Sequence, residues 1–261
     1  MSDDKREETI RLGGMALPNG VLVHGPSSWA CAIRGEGGQI EVAAEYKRFR
    51  AANVNAPFLR GPARLAEALA ILPQIKRALP GARLPMQSPR VLGSMIGATV
   101  LVRGIRGSSR LRPAAQELLS GLLSLAPAAF AMRGSELAAY HGAEHISIGR
   151  YEHGPEAKKE HERCGGHLIG PLVVTSAIGN VLAGLAPERM RNHARAAAQL
   201  GAVAASTEIF GWMTRHPGHP LSRALAKPGH ELQHRLGTRE PSPDQVEVAE
   251  AALHACLELE R

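Results

Sequence analysis

The stretch Tyr140-His141-Gly142-Ala143-Glu144-His145 places two imidazoles and a carboxylate where one helical turn can aim all three at a single ion. His141 and His145 are four apart, so on a helix they share a face, and Glu144 stands three from His141 on the same side. This is the H-x-x-E-H order of inverted zinc hydrolases, in which the histidines bind metal and the glutamate acts as general base. The chain holds 12 histidines, so the same residues would also serve as a polar network at a helix end.

Two histidines do not close a metal site, because a catalytic zinc takes three protein ligands and keeps one position for water. The candidates for the third are Glu208, His161 and Cys164. Glu208 lies 63 positions after His145 in an Ala-rich, otherwise apolar stretch, where a carboxylate is costly to bury unless paired or bound to a cation. Inverted zinc hydrolases likewise take a glutamate from a later helix. The alternative is an arginine partner or an exposed polar stripe. Cys164 follows His161 by three in His161-Glu162-Arg163-Cys164-Gly165, and imidazole with thiolate suits zinc. Cys164 could instead be a nucleophile activated by histidine, but no acyl-transfer signature surrounds it. Tyr140, Tyr151 and Glu152 flank the motif and could orient the histidines by hydrogen bonds.

These residues need elements to hold them. From Gly13 to about Tyr46 short β-prone runs, Val21 to His24, Trp29 to Ile33 and Ile40 to Val42, alternate with Gly/Pro/Ser turns, which reads as an antiparallel sheet of three or so strands. After Pro57 the spacing becomes helical, with segments near 90–104, 112–132, 135–147, 168–185, 188–214 and 219–235. Ser242-Pro243-Asp244 opens a last helix with Ser as N-cap and Pro in the first turn. The expectation is one α+β domain over residues 13–261, mainly helical. A small N-terminal sheet (13–50) packs on a multi-helix bundle (57–261) that carries the metal site, and residues 1–12 are disordered.

Five blocks in order, Gly13 to Val21, Asn55 to Gly61, Tyr140 to His145, His161 to Gly165 and Thr238 to Pro241, resemble the YqhQ-like family of bacterial proteins, described as metal-dependent enzymes of unknown function. The resemblance implies a metal site between Tyr140 and Cys164, a divalent ion such as zinc, and membrane segments; it brings no substrate. It also suggests that Asn19 and His24 line the site. Where the family usually has Pro, this chain has Glu162.

Composition sets the bounds. The chain has 261 residues, a formal charge of +7, 44% hydrophobic residues and only 3% aromatics, so its core is built from Ala, Leu, Val and Ile. Arg103, Arg106, Arg110 and Arg112 lack interleaved aromatics on which bases would stack, which argues against nucleic acid; a basic rim beside a membrane fits better. No stretch reads as a clean span of about 20 apolar residues. The nearest, His167 to Ala186, is diluted by glycine, proline and asparagine, and Leu118 to Met132 is interrupted by Pro127. Three cysteines without a C-x-x-C pair, and no apolar run near the N-terminus, lead to the expectation of a cytoplasmic chain, or one on the cytoplasmic face of the inner membrane, that is not secreted.

Overall fold

A computed structural model describes residues 9–161 and 163–261. The first eight residues, whose disorder the sequence suggests, lie outside the described residues, as does Glu162. Residues 9–12 correct that expectation. The Ile10 N–H donates to the Tyr151 hydroxyl at 3.1 Å, and Leu12 is buried in the core, so this segment is held against the site-bearing helix.

Four strands, β1 (Gly13–Leu17), β2 (Gly20–His24), β3 (Ser28–Arg34) and β4 (Ile40–Tyr46), form an antiparallel meander in the order 1-2-3-4. The strand before the expected three, β1, starts on two glycines and so lacks β-branched residues. The helices are α1 (Arg60–Leu69), α2 (Leu72–Ala78), α3 (Pro89–Gly107), α4 (Pro113–Ser124), α5 (Ala126–Met132), α6 (Glu136–His153), α7 (Ile169–Gly184), α8 (Arg191–Arg215), α9 (Pro220–Leu232) and α10 (Pro243–Glu260). The fold is therefore α+β and mainly helical.

The period-2 alternation of the strands gives the sheet two apolar faces. Val21, Val23, Ala30 and Ala32 point to one face and pack with Leu137, Tyr140 and Ala143 of α6 and with Val248, Ala252, Leu253 and Cys256 of α10. Leu22, Trp29, Cys31 and Ile33 point to the other and meet Ile71, Ile75 and Leu79 around α2. Each such Val, Leu or Ile contributes about 1.5–3 kcal/mol when fully buried, so the sheet fixes α6 firmly. Ser242 caps α10 reciprocally with Gln245 in a capping box, as its sequence anticipates. Cys31 and Cys256 are buried free thiols, and burial pushes the Cys31 thiol up to about 12.

Away from the sheet, α3, α4, α5, α7 and α8 leave much apolar surface outside. Ile96, Val100, Leu122, Phe130, Ile178 and Leu182 are all more than half exposed. Two stretches, Ala115–Met132 and Gly165–Gly184, are long and apolar enough by length and composition to cross a membrane, against the expectation that none is. The first is not one helix: the chain breaks between α4 and α5 just before Pro127.

Candidate metal centre

Helix α6 starts on Ser135, whose hydroxyl accepts the Ala138 N–H, and runs between the sheet and a chain segment that returns after α9. At Gly142 that segment comes so close that any Cβ would overlap the Arg239 carbonyl. The contact is extended by the Arg239 N–H, which donates to the Ala138 carbonyl at 2.9 Å. A π-helical turn at Gln233–Gly237, closed by the Thr238 N–H and hydroxyl on the Gln233 carbonyl, then delivers the Gly237 carbonyl to the site. π-turns of this kind often mark functional sites.

Two main-chain oxygens set the imidazoles. His141 donates from Nδ1 to the Gly237 carbonyl at 2.7 Å, and His145 donates from Nδ1 to the Lys159 carbonyl at 2.6 Å. A carbonyl can only accept, so each ring carries its proton on Nδ1 and keeps the Nε2 lone pair. Cys164 closes the group, its Sγ 3.4 Å from His141 Nε2. One donor atom each from His141, His145 and Cys164 lies within 4.8 Å of the others. In a tetrahedral zinc site, with bonds of about 2.0–2.3 Å, donor atoms stand roughly 3.3–3.8 Å apart, so small adjustments would let these three share one ion.

Glu144 lines the same cavity, of about 410 Å³, together with Gly13, Gly14, His24, His161 and Gly166. Its side chain is buried with no hydrogen-bond or ionic partner among the described residues, and burial pushes its pKa up to about 8. Burial, reinforced by His141, drives His145 down to about 3. Burial also raises Cys164 to about 12, with Glu144 adding to the rise against a Gly166 N–H that lowers it. His141 is lowered by the same desolvation. Two neutral imidazoles, a thiol and a carboxyl group thus share a desolvated pocket. A divalent cation compensates such a donor set, since its charge favours the thiolate and the carboxylate.

Of the remaining candidates, His161 sits beside the cluster without joining it. Its ring centroid is 5.6 Å from that of His145. Its Nε2 faces Glu152 Oε2 at 3.4 Å, and its Nδ1 accepts the Arg163 N–H. Arg163 pairs with the same carboxylate. Glu152, His153 and His161 form a second, more exposed group of donors within 4.8 Å. Glu152 therefore holds His161 and Arg163 rather than either histidine of the motif.

Glu208 is not at the cluster. It forms an ion pair with Arg60 and accepts the Phe58 N–H at 3.1 Å, and the Arg60 hydrogen bond holds its pKa below the usual carboxylate range. The Asn55 to Gly61 block is thereby explained as a clamp on α8. Phe58 takes the left-handed conformation (φ 65°), and Gly61 lies against Thr207 with no room for a Cβ. Asn19 is also elsewhere: it bridges Arg34, Gly81 and Arg83. His24 does line the cavity. Tyr140 packs in the core and Tyr151 holds Ile10. Gln233 donates to His167 at 3.0 Å and accepts the His161 N–H; no spacing rule in the sequence signals this residue or the π-turn that carries it.

The fold and site define a mainly helical α+β protein with a buried His/Cys cluster beside a carboxylate. Residues 133–259 match the family described as "Protein of unknown function (DUF1385)", a stretch that holds His141, Glu144, His145 and Cys164 but neither the sheet nor α1–α5. No curated protein and no solved structure matches the chain.

Proposed function

We propose that the protein is a metal-dependent hydrolase in which His141, His145 and Cys164 hold a divalent ion, most suitably zinc, and Glu144 is the general base. The observation that carries this reading is the pair of main-chain hydrogen bonds that occupy both Nδ1 atoms and leave both Nε2 lone pairs available, that of His141 at 3.4 Å from the Cys164 sulfur, with a ring nitrogen of His145 within 4.8 Å of the other donors. Backbone acceptors behind metal-binding histidines fix tautomer and ring orientation in this way. Two imidazoles and a thiolate supply the three protein ligands that a catalytic zinc takes, which leaves one position open. When bound, such an ion acts as Lewis acid toward an oxygen and lowers the pKa of a water it holds. Glu144, in the same cavity and without another partner among the described residues, would take a proton at its carboxylate oxygen and return it to a leaving group.

The second reading is a membrane-associated protein with a structural metal site, in which a fourth protein ligand would close the shell. The three donors of the cluster favour the open arrangement. The test is elemental analysis of protein purified without added metal, combined with a hydrolase screen. One equivalent of zinc, lost in His141→Ala and retained in Glu144→Gln together with a 10²–10⁴-fold fall in turnover, supports the hydrolase. Zinc lost in Glu144→Gln, or no metal at all, counts against it.

The exposed apolar side chains of α3, α4, α5, α7 and α8, with Arg103 in the last turns of α3 and Arg110 and Arg112 between α3 and α4, support membrane contact on the cytoplasmic face. Apolar patches this extensive mark interaction surfaces, and arginines at their edge suit anionic headgroups.

A further inference from the structure

The cavity that holds the cluster is lined by five consecutive residues, Leu12 and Gly13 to Ala16 of β1. Successive strand residues face opposite sides of a sheet, so one cavity reaches all of them only by running along the edge of the strand. β1 is an edge of the sheet. Its hairpin to β2 closes on Leu17 and Gly20 around a two-residue turn, which makes that pair a hydrogen-bonded one. Bonded and non-bonded pairs alternate along an antiparallel ladder. The pair Gly14–Val23 is therefore non-bonded, and the Gly14 N–H and C=O point away from β2. Neither group has a partner among the described residues, and Gly14 is exposed.

The two edges of the sheet are treated differently. β4 carries Glu41 and Glu45, charges of the kind that discourage strand addition. β1 has no charge, proline or bulge, and at Gly13 and Gly14 it has no side chain to fend off a neighbouring chain. The open edge also meets the candidate chemistry, since Gly14 lies on the Glu144 carboxylate and His141, His145 and Cys164 line the same cavity. Leu137, one turn before His141 on the same face of α6, adds an apolar wall with Met132. The four steps from Leu12 to Ala16 span about 13 Å of strand, enough to seat about four residues of an extended chain.

We propose that β1 takes up an extended polypeptide segment as an added strand, its main chain paired with Gly14 and an apolar side chain against Met132 and Leu137. Backbone pairing of this kind holds a peptide by its main chain and selects it by alternate side chains. Resting on the hydrolase reading, this segment is the substrate and the bond broken is a peptide bond. Water adds across the C–N bond: its oxygen bonds to the carbonyl carbon and Glu144 passes one of its protons to the leaving nitrogen, which gives a carboxylic acid and an amine.

The test uses the full chain loaded with zinc and the capped hexapeptide acetyl-Ala-Ala-Leu-Leu-Ala-Ala-amide. Hydrogen exchange at the Gly14 amide, unpaired in the free chain, should slow at least about tenfold at saturating peptide. Neighbouring N–H groups of a strand point to opposite sides. N-methylation of one central leucine should therefore weaken binding at least about tenfold, by leaving a Gly14 group unpaired, while N-methylation of the other is tolerated. Mass spectrometry should find the parent peptide cleaved by the native chain and intact with Glu144→Gln, which still protects Gly14. Protection with a selective N-methyl effect but no cleavage supports strand addition and overturns the hydrolase reading. Gly14 left unprotected, or an equal response to the two N-methylated peptides, overturns the proposal even where the peptide is cleaved. Protection of Gly14 that rises with protein concentration before any peptide is added assigns the edge to a second copy of the chain and overturns it as well.

Discussion

Gly14 of β1 lies directly on the Glu144 carboxylate, so closely that a methyl group on Gly14 would overlap the Glu144 side chain. The sheet therefore forms the roof over the carboxylate, and the absence of a side chain at Gly14 sets where Glu144 can stand. Gly14→Ala is expected to displace Glu144 at a cost of about 1–3 kcal/mol, as overpacking does. Zinc content should be unchanged while any turnover falls. Thermal unfolding with metal analysis checks this; loss of zinc in Gly14→Ala would show that Glu144 supports the ion instead of acting beside it.

In the proposed centre Cys164 is the soft donor. Cys164→Ser replaces a thiolate by a hydroxyl that stays protonated near neutral pH, so zinc affinity should fall by at least about tenfold, a loss within the range seen even for outer partners of metal ligands. Competition with a chromophoric chelator measures it. With cobalt substituted for zinc, the thiolate charge-transfer absorption should vanish in this variant and persist in His161→Ala, because His161 faces Glu152.

The Arg60–Glu208 pair has a pH signature. Glu208 has a depressed pKa in the folded state, so its contribution is full above the ordinary glutamate value of 4.5 and is lost as pH falls through the lower folded value. Stability of the native chain and of Glu208→Gln, followed by denaturant unfolding, should therefore differ at neutral pH and converge in acid. Zinc content should not differ between them; a loss would return Glu208 to the ligand set.

The apolar helical layer predicts a partition. Ile178 and Leu182 of α7 are more than half exposed, and burying such side chains in the acyl boundary contributes about 1.5–3 kcal/mol each. The native chain should float with vesicles containing anionic phospholipid, and the double variant Ile178→Glu, Leu182→Glu should shift toward the soluble fraction. Flotation that does not respond to this variant assigns the contact to another face.

What the sequence made legible follows the range of the interaction. His141 and His145 could be paired from spacing alone because a helix fixes four-residue neighbours, and Ser242 could be read as a cap for the same reason. Glu208 looked like a buried ligand because its own helix is apolar. Its partner Arg60 is 148 positions away, and no local pattern reports that distance. His161 and Cys164, three apart, would share a face on a helix. Their segment is not helical there, so one turns to Glu152 and the other to His141. β1 was hidden because its pairing with β2 compensates for its two glycines. The helical segments near 90–104, 168–185 and 219–235 correspond to α3, α7 and α9, since periodicity survives any tertiary context, whereas the break between α4 and α5 depends on Pro127 within an otherwise continuous apolar run.

The imidazoles of His141 and His145 are aimed by peptide oxygens, which every residue possesses. Position 159 can therefore change identity at little cost to the centre, and Lys159→Ala should bind zinc as the native chain does. The centre is instead vulnerable to length. Removing one residue from Gln233–Gly237 would convert the π-turn to ordinary helix and rotate the oxygen at 237 off His141. A change that leaves every ligand in place would thus disarm the site, and relatives that keep the chemistry should keep the number of residues in this turn.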